Sequence, residues 1–225
     1  MFALTVFAFL IFMFWILFLP KKYVRKMCSI YCSLFVNVND FIFGFKRRII
    51  GTENIAKHPV IYALKHQSTY ETFWFGSVIQ NNAWIMKKSL MYIPILGLYF
   101  WRSGMVPIDR SKGRDSIMKM IKESKKIYER DCVLSIFPEG TRRPLGSEPV
   151  YKQGVYILYS ELNMPVVPVA LNTGLYWNRG LWNGKKGRVT MEFLPEIKPG
   201  LSKEQFMKKL QQDIETASNR LAKKP

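Results

Sequence analysis

The string His66-Gln67-Ser68-Thr69-Tyr70-Glu71 sets an imidazole and a carboxylate five positions apart, and Phe137-Pro138-Glu139-Gly140-Thr141-Arg142 follows about seventy residues later. A carboxylate on one ring nitrogen fixes the tautomer of a histidine and stabilises its imidazolium, leaving the other nitrogen to take a proton from a substrate hydroxyl. Five positions on a continuous helix turn two side chains roughly 140° apart, so the pair meets only if His66 precedes the helix. With Ser68 as N-cap, His66 sits on the approaching loop and Glu71 on the first turn, from which it can reach back. The same letters admit a second reading. Ser68-x-x-Glu71 is a capping box, in which Glu71 serves the Ser68 amide and His66 is an ordinary loop histidine.

The later string follows the apolar run Cys132-Val133-Leu134-Ser135-Ile136, so its loop leaves the end of a strand, where open sheets bind ligands. Arg142 offers a two-pronged grip on a phosphate, Gly140 lets backbone approach closely, and Glu139 either orders the loop or binds a substrate hydroxyl. Against this stands a turn that merely carries solvated charges. Gly104-Met105-Val106-Pro107-Ile108-Asp109-Arg110 brings another arginine after an extended stretch, with a surface Asp109–Arg110 ion pair as the plain alternative.

These strings must be positioned by a chain of 225 residues that is 48% hydrophobic, enough for one sizeable core and short for two. The 34 Lys and Arg against 16 Asp and Glu leave +18, which points to an acidic partner: nucleic acid, an anionic bilayer or a phosphorylated substrate. Cys28, Cys32 and Cys132 form no even framework and read as reduced thiols. With only His58 and His66 and no Cys-x-x-Cys, the composition argues against a zinc site.

Met1 to Leu19 carries no charge, about the length that crosses a hydrocarbon core, and no basic residue precedes it as a cleaved signal would require. Lys21, Lys22, Arg25 and Lys26 follow directly, so the positive-inside rule places everything after them in the cytoplasm. Cys28 to Phe45 is apolar and aromatic but interrupted by Asn37, Asn39 and Asp40, and reads as an interfacial helix; a re-entrant hairpin with the first segment is the alternative. Residues 1–48 are thus expected to form a membrane-anchoring helical segment and 49–225 the catalytic domain.

From Ile49 onward, Val60–Leu64, Ala83–Met86, Val133–Phe137, Val166–Leu171 and Val189–Phe193 are buried-strand candidates. Helical patterns fall between them. Lys112 to Arg130 places Ile117, Ile121, Ser124 and Tyr128 on one stripe, and Ser202-Lys203-Glu204-Gln205 fits a capping box opening a last helix with Phe206, Leu210, Ile214, Ala217 and Leu221 inward. The pattern predicts an α/β fold: a mixed, largely parallel sheet flanked by helices, preceded by the N-terminal membrane-associated helical segment.

In this order, the four strings resemble the motifs of the glycerolphosphate acyltransferase family, most closely its bacterial-type 1-acyl-sn-glycerol-3-phosphate acyltransferases, over residues 50–195. His66 to Glu71 falls where a His-x4-Asp motif is expected, Gly104 to Arg110 looks like the second motif, Phe137 to Arg142 the third, and Val166-Val167-Pro168-Val169 the fourth. Glu71 in place of Asp adds a methylene to the dyad. The resemblance implies acyl transfer from a thioester, acyl-CoA or acyl carrier protein, to the sn-2 hydroxyl of a 1-acylglycerol 3-phosphate, with no metal, no resident cofactor and no covalent acyl-enzyme. His66 would be the base and Glu71 its orienter. Arg110, Arg142 and Lys87 would hold the phosphate, the last because Lys87-Lys88-Ser89-Leu90 resembles a family segment, and Glu139, Gly140 and Thr141 would complete the substrate site. Implied partners are membrane lipids and a lysophospholipid, not nucleic acid. Trp74, Phe75, Trp84 and Trp101 are candidates for an acyl groove and equally for ordinary core.

Two other classes fit the sequence less well. A lipid hydrolase using Ser68 or Ser135 lacks a Gly-x-Ser-x-Gly elbow, and a nucleic-acid binder lacks a recognisable reading motif among its scattered lysines. Within the enzyme class, another lysolipid such as a lyso-ornithine lipid is the second acceptor.

Overall fold

The computed structural model of the chain describes residues 14–109, 111, 113–128, 132–144, 146–177 and 184–223. Its elements run α1 (Lys21–Phe43), β1 (Phe45–Ile50), β2 (Ile61–Leu64), α2 (Tyr70–Val78), β3 (Asn82–Lys87), α3 (Leu96–Ser103), β4 (Val106–Ile108), α4 (Gly113–Tyr128), β5 (Val133–Ile136), α5 (Gly154–Leu162), β6 (Val166–Leu171), β7 (Gly187–Phe193) and α6 (Lys203–Lys223). The strands form one seven-stranded sheet in the order β1-β7-β6-β2-β5-β3-β4. All of its pairings are parallel except β6 with β7. The expected mixed, largely parallel sheet is the one observed.

Both faces of the central strands are covered, which is why β2 and β6 read as unbroken apolar runs rather than as alternation. Along β2, Ile61 and Ala63 join the core cluster that includes α4, α5 and α6, while Tyr62 and Leu64 join the opposite cluster with α1 and α2. Phe206, Leu210, Ile214, Ala217 and Leu221 of α6 are all buried as the heptad-like spacing predicts. That helix opens on the expected capping box: Gln205 N donates to Ser202 Oγ at 3.3 Å and Ser202 N to Gln205 Oε1 at 3.1 Å.

Two strands were absent from the sequence expectation. β1 contains Lys46, Arg47 and Arg48, all exposed, and its strand character comes from the ladder with β7 rather than from apolar content. β4 has only three residues at the other edge. The boundary expected between residues 48 and 49 falls inside β1.

Of the expected membrane span, residues 1–13 lie outside the described residues, and Phe14–Phe18 form a short 3-10 helix. Among the described residues no helix is long and apolar enough to cross a membrane. The expected interfacial helix is longer than Cys28 to Phe45, starting after Pro20 and running through Asn37, Asn39 and Asp40 without a break. Those polar residues do not interrupt it because they have partners: Asn39 Nδ2 donates to Phe35 O, and Asp40 accepts from the hydroxyl of Tyr70 and pairs with Arg47. Gly44, at φ +67°, ends α1 in the left-handed conformation, its N–H on Asp40 O at 2.8 Å. Gly76 of α2 brings the two helices together; a Cβ there would lie 3.1 Å from Cys32 Sγ.

Candidate active site

β2 and β5 are adjacent, parallel and level, with Ala63 beside Ile136, so Lys65-His66 and Phe137-Pro138-Glu139 emerge side by side at their C-terminal ends. His66 N donates to Glu139 Oε2 at 3.1 Å and Arg143 N donates to His66 O at 2.8 Å. Both backbone polar groups of His66 are therefore held by the loop that follows β5.

Glu71 touches the helix-opening amides and His66 at once. Its Oε1 accepts the amides of Gln67 and Ser68, each at 2.6 Å, as a helix-opening carboxylate should, and lies 3.1 Å from His66 Nδ1. Its Oε2 accepts from Thr173 Oγ1 at 2.6 Å. Glu71 is fully buried, so these donors replace water around both oxygens. A carboxylate acceptor at Nδ1 puts the ring proton there and leaves Nε2 as an acceptor. The imidazole, 16% exposed, stacks on Phe137 with centroids 3.7 Å apart, and Phe137 stacks in turn on Trp84 at 4.9 Å. The extra methylene of Glu71 is accommodated because its carboxylate meets partners at both ends.

His66 forms part of the lining of a cavity of about 690 Å³ whose other walls include Trp84, Met105, Ile117, Met120, Phe137 and Val155. Lys87 and Lys152 also line it. A second space of about 180 Å³ lies against α1, α2 and α3, and shares Thr72, Trp84, Phe100 and Met105 with the first. Both are mostly apolar, with the histidine among the few polar groups lining the larger one.

The remaining expected residues divide. Arg142 is half-buried and donates from Nη1 to Thr69 Oγ1 at 2.8 Å, which sets the guanidinium at the start of α2 beside the dyad. Gly140 lines the cavity at φ +70° and Lys87 is exposed on its wall, while Thr141 is exposed on the loop. Glu139 orders the loop. It is fully buried, with Oε1 2.5 Å from Lys65 Nζ and Oε2 on His66 N. Burial pushes its carboxyl up and Lys65 draws it back. Arg110 lies outside the described residues; its neighbour Asp109 faces Lys88 at 3.5 Å and accepts from Ser111.

Of the candidate groove aromatics, Trp84 faces the cavity, Trp74 and Phe75 are core, and Trp101 is exposed on α3. Neither hydrolase serine is available as a nucleophile. Ser68 and Ser135 are fully buried, Ser68 Oγ accepting from Tyr70 N and Ser135 Oγ donating to Asn82 Oδ1. Sequence reasoning missed Lys65, Phe137 as a stacking platform, Thr173 and Lys152. Lys65 alone carried a signal, a cation among apolar letters at the end of a buried strand.

The Acyltransferase family model matches residues 46–172, more than half of the chain. The chain belongs to the acyltransferase family. It is similar to the 1-acyl-sn-glycerol-3-phosphate acyltransferase of Pseudomonas aeruginosa, 28% identical over 173 residues covering 77% of this chain and 67% of the relative. The Saccharomyces cerevisiae 1-acyl-sn-glycerol-3-phosphate acyltransferase is 31% identical over 155 residues, 68% of this chain and 50% of that one. The chain thus spans between half and two thirds of the length of these acyltransferases. In fold it matches the 1-acyl-sn-glycerophosphate (LPA) acyltransferase PlsC from Thermotoga maritima with a TM-score of 0.76, at 22% identity over 96% of this chain and 88% of the other.

Proposed function

We propose that this acyltransferase moves an acyl group from acyl-CoA or acyl carrier protein to the sn-2 hydroxyl of 1-acylglycerol 3-phosphate, forming phosphatidic acid. The observation that carries it is a histidine with Nδ1 on a buried carboxylate and its ring on the wall of a mostly apolar cavity of about 690 Å³. Nε2, with no partner among the described residues, takes the acceptor's hydroxyl proton as the oxygen attacks the thioester carbonyl. The carbon–sulfur bond then breaks, and the imidazolium returns its proton to the departing thiolate. Glu71 stabilises the imidazolium, and the donor's hydrocarbon tail lies in the apolar spaces.

Arg142, with Lys87 and Arg110, holds the acceptor's phosphate, and the curated relatives named above favour this acceptor. The reaction is placed at an anionic bilayer, on its cytoplasmic face. Tyr23, Ile30, Leu34 and Phe41 form an exposed apolar stripe along α1, with Trp15, Phe18, Tyr92 and Trp101 also exposed, on a chain of net charge +18. The deciding experiment measures thiol release by the purified protein with both donor types across several lysolipids. Transfer to 1-acylglycerol 3-phosphate above all others is expected. Preference for a lyso-ornithine lipid, or thioester hydrolysis alone, would overturn the assignment.

A further inference from the structure

Residues 65 and 66 leave β2 toward opposite faces of the sheet. His66 turns to Glu71, while the Lys65 side chain, 6% exposed, enters the face covered by α6. There Nζ lies 2.5 Å from Glu139 Oε1 and 2.7 Å from Glu215 Oε1, and the Tyr151 hydroxyl donates to the same Glu215 oxygen at 2.9 Å. Since Glu139 Oε2 accepts from His66 N, an unbroken chain of charged contacts runs from α6 to the backbone of the histidine.

One lysine already balances one buried carboxylate. Glu139, fully buried beside His66, has its counter-charge in Lys65; Glu215 adds a second carboxylate, leaving the three groups one negative charge in excess. A design for stability alone gains little from a second, half-buried carboxylate on one lysine. Glu215 does something geometric. It gives Lys65 Nζ a second carboxylate at 2.7 Å, which favours the ammonium position that also meets Glu139.

We propose that Lys65, Glu139 and Glu215 are positioning residues for His66, through which α6 sets the aim of the base without contributing a residue to the lining of the larger cavity. This rests on the acyl-transfer reading for its kinetic consequence but not for its geometric one. Glu215 lies on α6, after the segment matched by the family model, which ends at residue 172.

The experiment uses the full chain in detergent or nanodiscs, with Glu215→Leu and Glu215→Gln compared with wild type. With only His58 and His66 present, imidazole resonances report each ring separately, assigned by His66→Ala. Glu215→Leu is expected to shift the His66 resonances while sparing those of His58, and to lower kcat about tenfold or more with KM little changed, since small misplacements of a reacting group carry large rate penalties. Glu215→Gln, which still offers an oxygen to Lys65 and Tyr151, should recover most of both. Should Glu215→Leu fail to fold, Glu215→Ala, which leaves room for water beside Lys65, gives the same comparison. A fall in Tm with kcat and the His66 signals unchanged would overturn the proposal. If wild type transfers no acyl group from any donor, the resonance shift alone decides the positioning, and it is the acyl-transfer reading that fails.

Discussion

Thr173 donates to Oε2 of Glu71 at 2.6 Å, joining the turn after β6 to the first turn of α2 across 102 positions of sequence. A hydrogen bond to a charged group contributes about 1.5–3 kcal/mol. Removing it with Thr173→Val leaves one oxygen of a buried carboxylate unpaired and frees the side chain to rotate away from His66. Turnover is expected to fall by about tenfold or more, with Thr173→Ser near wild type. A loss in the Ser variant with the Val variant near wild type would mean that the threonine methyl, not its hydroxyl, is what matters.

Glu71→Gln separates charge from capping. Glutamine still presents an oxygen to the Gln67 and Ser68 amides, so α2 should open normally and the Tm should stay close to wild type. It cannot balance an imidazolium, and kcat is expected to drop about 10²–10⁴-fold, the range a positioned base supplies, with His66→Ala similar. A Gln variant that folds and turns over normally would reduce Glu71 to its capping role.

Arg142→Ala should raise KM for a phosphorylated acceptor and also lower kcat, because the guanidinium sits on Thr69 beside the dyad and its loss loosens the acceptor. Lysine should restore only part, lacking the planar fork. An acceptor without phosphate is the control. Equal damage on both acceptors would show that Arg142 serves the loop rather than the anion.

How far the letters foretold this site depends on what each residue answers to. Strands β2, β5 and β6 and the inward stripe of α6 were legible because buried apolar runs and helical spacing are local properties. The two readings of Glu71 were legible too, but only as rivals. Whether one oxygen can serve the capping amides and His66 together is a matter of ångströms, settled by where β2 ends. Lys65 and Glu215 lie 150 positions apart and meet because α6 crosses one face of the sheet, which no local pattern records. β1 was hidden for the opposite reason: its cations argued against a strand that main-chain pairing with β7 nonetheless makes.

The thiols on α1 give a pH test. Burial pushes Cys28 up to about 11 and Cys32 up to about 12. At pH 8 the thiolate fraction of Cys28 is then about one in a thousand, so a disulfide reagent should label both slowly in the folded protein and rapidly in denaturant. Raised folded pKa values mean that stability from these groups is complete below the unfolded value, near 9, and is lost as pH rises through it toward 11 and 12. The Tm should therefore fall between pH 8 and pH 10.5, and Cys28→Ser/Cys32→Ser should flatten that fall. Prompt labelling of the native protein at pH 8 would contradict the packing of α1 on α2.

β1 pairs with β7 from Phe45↔Gly187 to Ile50↔Glu192, so the first of the described strands gains its partner last. At about 5–20 residues per second, an emerging chain carries that strand unpaired for roughly 7–30 s. An open strand edge held that long beside a lipid surface or a crowded ribosome is a template for pairing with the wrong chain. Lys46, Arg47 and Arg48 stand on that waiting edge. Three adjacent like charges disfavour pairing of that edge with a second copy of itself while residue 187 is still to come.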